Sequence, residues 1–152
     1  MYKKILIPVD GSEGSQLTLK HAAKLAEALG AEITVIHVLH FPAQLEVNSG
    51  KLGEAGILLR DQIKENVRSQ IEEHAQEIIK KAREDCLTYN ITFQDKLVWG
   101  EPANEIIQEA QQGKYDLIVI GSRGLSEIIG WVMGSVSQKV AWHAKCPVLV
   151  VR

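Results

Sequence analysis

Five short runs of strand-forming residues alternate along the chain with four stretches of helical periodicity, and this alternation restricts the fold more than any other feature. "KILIPV" (4–9), "YDLIVIG" (115–121) and "PVLVV" (147–151) are almost continuously apolar, as strands buried on both faces must be. "EITVIHVL" (32–39) is rich in β-branched residues, and "ITFQDKLVW" (91–99) reads as a further strand. Between the first two runs, Leu19, Ala22, Ala23, Ala26 and Leu29 recur at helical spacing, and Gly30 stands where a C-terminal cap belongs. A long amphipathic helix is expected from about residue 58 to about residue 85, with Ile63, Val67, Ile71, Ala75, Ile78 and Ala82 as its buried stripe. "PANEIIQEAQQG" predicts a short helix opening at Pro102 and closing at Gly113, and "SVSQKVAWHAK" a last one. Residues 40–56, with one proline, three glycines and no period, read as a mobile loop. The order β-α-β-α-β-α-β-α-β implies one open five-stranded parallel sheet with helices on both faces. In such sheets ligands gather beyond the carboxyl ends of the strands, where the strand order reverses.

A length of 152 residues with 45% hydrophobic content suits one domain over residues 1–152. The net charge of −2 and 5% aromatic content argue against nucleic acid as a partner. The opening "MYKKILIPVDGS" is too short in apolar residues for a signal peptide's core, and no 18-residue apolar run suggests a membrane span. Cys86 and Cys146 lie far apart without a CxxC partner, which reads as two reduced thiols and a cytoplasmic setting.

Two segments bring unusual chemistry to the expected ligand edge: "PVDGS" after the first strand and "GSRGLSEIIGWVMGSVSQK" (121–139) after the fourth. The latter matches neither GxxxxGK[ST] nor GxGxxG. It still holds the parts of a phosphate site. Its glycines let backbone amides approach an anion, Ser135 and Ser137 offer hydroxyl donors, and a helix N-terminus supplies free N–H groups. A long strand-to-helix connection with glycines at its turns would look the same.

The spacing Gly-x2-Gly-x9-Gly-Ser, with the "ILIPVDGS" start and the "CPVLVVR" end, resembles the universal stress protein family (UspA-like), specifically its ATP-binding branch. The resemblance runs over about residues 2–152. It implies a Rossmann-like, adenine-nucleotide-α-hydrolase-like sheet of order 3-2-1-4-5, with ATP across the carboxyl ends of the first and fourth strands. It also implies that Pro8, Val9, Val38 and Ile120 line the adenine pocket, with Asp10 near the ribose and the metal-phosphate region. Gly121, Gly124, Gly134, Ser135, Val136 and Ser137 would wrap ribose and phosphates. Arg123 is assigned to the phosphates on its charge alone.

Each of these residues also has a plainer explanation. Asp10, before Gly11 and Ser12, could start a turn or cap the first helix. His37 and His40, three apart on a strand, should face opposite sides of the sheet and therefore not share a metal. Cys146 reads as a packed thiol rather than a redox sensor, Trp131 as packing, a lid or a partner contact, and Lys139 as a surface residue of the last helix. No catalytic residue is assigned, and protein metal ligands are left open; Mg²⁺ would be held mainly by the phosphates. Three functional classes remain: an ATP-binding regulatory module of the stress response, a slow ATPase or phosphotransferase, and a ligand-free dimeric adaptor. In each, pairing through the edge strand 147–151 would make a homodimer.

Overall fold

The computed structural model describes residues 1–42, 45, 52–124 and 132–152, and in them the alternation becomes a single parallel sheet. The strands are β1 (Lys4–Pro8), β2 (Glu32–Leu39), β3 (Phe93–Trp99), β4 (Leu117–Gly121) and β5 (Val148–Val151), in spatial order β3-β2-β1-β4-β5. The helices are α1 (Glu13–Leu29), α2 (Glu54–Cys86), α3 (Pro102–Gln112) and α4 (Ser135–His143). Among the described residues, no helix is long and apolar enough to cross a membrane.

Strand alternation divides the core into two layers. Ile5, Ile7, Ile33 and Val35 pack beneath α1 and α2, whereas Leu6, Ile36, Ile118 and Ile120 pack beneath α3 and α4. Because both faces are covered, the central strands carry apolar residues on both faces, each full burial contributing about 1.5–3 kcal/mol. The helix ends follow local chemistry. Gly30 closes α1 at φ 64°, the left-handed conformation that glycine adopts at least cost. Glu101 accepts the Asn104 N–H at 2.9 Å to cap α3, with Pro102 at its first position.

Three expectations are corrected. Residues 54–56 belong to α2 rather than to a loop: Gly53 is extended and its carbonyl accepts the Ile57 N–H at 3.0 Å, closing the first turn. The rest of that loop reading, at 43–44 and 46–51, lies outside the described residues, as does Trp131. The stripe on α2 is buried only from Ala75 onward, with Ile63 41% exposed. The reason is length. Thirty-three residues make a helix of about 50 Å, while the strands beneath span at most about 27 Å, so the first half of α2 overhangs the sheet. Leu29, at the last turn of α1, is likewise 45% exposed.

Candidate functional site

The strand order reverses at β1, which has β2 on one side and β4 on the other. Beyond the carboxyl ends of these strands lies a cavity of about 470 Å³. The structure brings to it Pro8, Val9 and Asp10 from the end of β1, Val38 from β2 and Ile120 and Gly121 from β4. Arg123, Gly124, Gly134, Ser135, Val136 and Ser137 come from the loop and helix that follow. Every residue to which the sequence pattern assigned a contact therefore borders one space.

Asp10 is held by the turn it starts. Its Oδ1 accepts the Ser12 N–H at 3.0 Å and the Ser12 hydroxyl at 2.6 Å. Ser12, not Asp10, is the N-cap of α1, its Oγ accepting the Ser15 N–H at 3.1 Å. The other carboxylate oxygen, Oδ2, lies where a Cβ on Gly124 would have to stand. A side chain at Gly124 would displace this carboxylate oxygen, which explains one element of the glycine spacing in terms of contact.

One end of the cavity is built from α4. Gly134 at its N-cap is extended, offers no side chain, and donates its own N–H to the Ser122 carbonyl at 2.7 Å. No side-chain cap closes the first turn and no acidic residue stands in it. Ser135 is exposed at this end. Ser137 departs from expectation: its buried hydroxyl donates to the Gly121 carbonyl at 2.6 Å, so it ties α4 to β4 rather than offering a proton to a ligand. Lys139 points along the surface, 3.7 Å from Glu101 Oε1, and does not line the cavity.

Sequence reasoning missed the wall that α2 supplies. Ile71, His74 and Ile78 line the cavity, as do Ser15 of α1 and Pro102 and Ile106 of α3. The available signal was His74, which lies three residues after Ile71 and four before Ile78, on the stripe side of the helix. The expected separation of His37 and His40 also fails. β2 ends at Leu39, its alternation ends with it, and both histidines border the same cavity. Among the described residues, no group of three or more His, Cys, Asp or Glu is placed to hold a metal. His37 Nδ1 lies 2.8 Å from the Val9 carbonyl. Burial lowers the pKa of this imidazole, against the opposing pull of the Val9 carbonyl and Asp10, while His74 and His40 lower it further. The thiols are held protonated: burial, with Asp85, pushes Cys86 up to about 11, and burial raises Cys146.

A family model described as the universal stress protein family matches residues 1–152. Universal stress protein MJ0531 of Methanocaldococcus jannaschii is 34% identical over 152 residues, covering 100% of this chain and 83% of that protein. Among solved structures, universal stress protein UspA from Lactobacillus plantarum is similar with a TM-score of 0.83 at 25% identity, over 99% of this chain and 98% of that one. The universal stress protein from Archaeoglobus fulgidus in complex with dAMP shares the fold, with a TM-score of 0.66 at 23% identity over 99% and 98% of the two chains.

Proposed function

The chain belongs to the universal stress protein family, and from that premise we propose that it is an ATP-binding regulatory module of a cellular stress response, working as a cytoplasmic homodimer. The observation that carries the reading is the uncapped N-terminus of α4 opening into the same cavity as Asp10 and Gly124. A first turn without a side-chain partner needs an acceptor, and a phosphate supplies several oxygens and a negative charge at the positive end of the helix dipole. The N–H groups of Ser135, Val136 and Ser137 and the Ser135 hydroxyl would hold it, with Arg123 adding charge. The apolar end, at Pro8, Val9, Val38 and Ile120, suits a planar base. That dAMP is bound by the Archaeoglobus protein of the same fold supports an adenine nucleotide.

Mg²⁺ fits the site only in a limited way. Asp10 is the one carboxylate among the described lining residues, and Ser12 already occupies its Oδ1. The ion would therefore depend mainly on phosphate oxygens, where it neutralises charge. Arg123 is the one lysine or arginine among the described lining residues, so little positive charge is available to a transferring phosphate, and phosphate release far below a typical enzyme's roughly 10 s⁻¹ is expected. Turnover at that rate, abolished by Asp10→Asn, would favour the enzyme reading.

Edge strand β5 supports the dimer. Pro147 and Val151 carbonyls face β4, accepting from Ile118 and Ser122, so by alternation the N–H groups of Val148 and Val150 point away from the sheet. Leu149 beside them is 44% exposed. Pairing with the same strand of a second copy would cover this edge. Light scattering should find a dimer that Val148→Pro or Val150→Pro converts to monomer; a dimer indifferent to both places the interface elsewhere. For the ligand, small molecules released from purified protein should include an adenine nucleotide by mass spectrometry. Purified, nucleotide-free protein that takes up no Mg·ATP in equilibrium dialysis would favour the ligand-free adaptor.

A further inference from the structure

The two helical layers present different surfaces to solvent. α2 is charged along its exposed side, with Glu65, Glu72, Glu73, Glu77 and Lys80 all open to water. On α3 the outward stripe is Asn104, Gln108 and Gln111, spaced i, i+4, i+7, with Gln112 beside it. On α4 it is Ser135, Gln138 and Trp142, while Lys139 and His143 turn toward α3. Lys139 is the one exposed lysine, arginine, aspartate or glutamate in either helix, and it lies 3.7 Å from Glu101. Glu105 lies against Gly100, and Glu109, with 13% of its side chain exposed, pairs with Lys96 at 2.6 Å.

Trp142 is 78% exposed, and two residues on from the buried Val140 it points about 200° round the helix, away from the core. Beside it α3 and α4 enclose an open groove of about 510 Å³, with Ile107 at its base and Asn104, Gln108, Gln111, Lys139 and His143 along its rim. Loss of charge around an exposed indole is the composition of an interface core, where tryptophan is enriched among the anchors. The same composition selects the partner. An isologous contact sets a patch against its own copy, so every charge meets its like, whereas an amide holds both donor and acceptor and can pair with itself. We infer that the outer face of α3 and α4 is a second self-association surface, on which Trp142 of each chain seats in the α3–α4 groove of the chain opposite.

Area sets the size of the assembly. The 11 residues of α3 make about 16 Å and two adjacent helices span about 20 Å, so one chain offers a footprint of roughly 320 Å². A specific interface needs at least about 600 Å² per partner, and one chain falls short of it. Pairing through β5 doubles the face. Opposed residues of an antiparallel pair put their side chains on the same side of the sheet, and Val148 and Val150 point beneath α4. Both copies of the α3–α4 face therefore lie on one side of a β5-joined sheet, and their roughly 640 Å² clears the limit narrowly. The occupant is a second β5-paired dimer, and the product is a tetramer that forms as concentration rises. The step from dimer to tetramer rests on the β5 reading given above.

The test is sedimentation velocity of the purified chain from about 1 µM to about 500 µM. The wild type should pass from dimer to tetramer over this range. Trp142→Glu removes the anchor and should raise the dimer–tetramer dissociation constant about 30-fold or more, leaving the dimer and its thermal melting unchanged. Gln108→Lys, which sets like charges at the groove rim, should weaken the tetramer from the other helix. Leu17→Glu, at a position 44% exposed on α1 in the opposite layer, should assemble as the wild type does. A wild type that stops at the dimer, or a tetramer that persists in both groove variants, overturns the second surface and leaves the β5 reading standing. A dimer that Trp142→Glu splits and Val150→Pro leaves whole keeps the α3–α4 contact and overturns the β5 reading, and a monomer at every concentration overturns both. Should Trp142→Glu fail to fold, Gln108→Lys decides.

Discussion

α1 and α4 both begin at the carboxyl edge of the sheet and both border the cavity, yet they treat the free N–H groups of their first turns in opposite ways. α1 is self-sufficient: Ser12 caps the Ser15 N–H, Asp10 secures Ser12, and Glu13 places a negative charge in the first turn. α4 has glycine at the cap, no side-chain partner and no acid in its first turn. A helix that needs nothing from outside is a structural element, whereas one left open at a cavity mouth has N–H groups available to water or to an anion. The difference lies in two residue choices at equivalent places, serine in one loop and glycine in the other.

The comparison breaks most completely at Gly124. Valine there would drive a branched side chain into Asp10 Oδ2, displacing the carboxylate that Ser12 holds at the cavity. Stabilisation by Mg·ATP should vanish in a thermal-shift titration, and a Gly124→Val protein that keeps the full shift would show that the loop contact is incidental. A smaller effect is expected from giving α4 the kind of cap α1 has. Gly134 has φ −60° and ψ 154°, which any residue adopts, so Gly134→Asp can satisfy the first turn from within. Ligand-free melting should hold or rise while ATP affinity drops about 10- to 100-fold, the worth of charge-assisted bonds forfeited. Calorimetry that finds unchanged affinity would mean that the first turn does not touch the ligand.

The converse change, Ser12→Ala, opens the end of α1. It should cost about 1 kcal/mol of stability, lowering Tm by about 2–4 °C without ligand. An unchanged melting point would show that the cap contributes nothing. Lys139→Ala, one turn into α4 and turned toward Glu101, should leave the ATP-induced shift nearly intact and serves as the control.

What the sequence disclosed and what it hid follow from the range of the forces involved. Strand runs such as "EITVIHVL" and the caps at Gly30 and Gly113 are local, and the structure reproduces them within a residue or two. The exposure of Ile63 was not legible, because periodicity marks a face and says nothing of where the sheet beneath it ends. The glycine spacing led to the edge of the sheet where the cavity lies, yet the hydroxyl of Ser137 reads as a ligand group until the fold sets it against the Gly121 carbonyl. The contribution of α2 through His74 was hidden for a similar reason, since it depends on tertiary packing across 37 positions from His37.

The claim that an open helix end awaits a phosphate is tested most directly by the thermal stability of wild-type protein first shown to be nucleotide-free. ATP bound only to the folded chain at about 100 times its Kd should add roughly 2.7 kcal/mol. For a chain of this size that is a rise in Tm of roughly 5–11 °C. No rise with Mg·ATP, under conditions where the protein is folded and monodisperse, would contradict the account and leave the loop between β4 and α4 as a connection only.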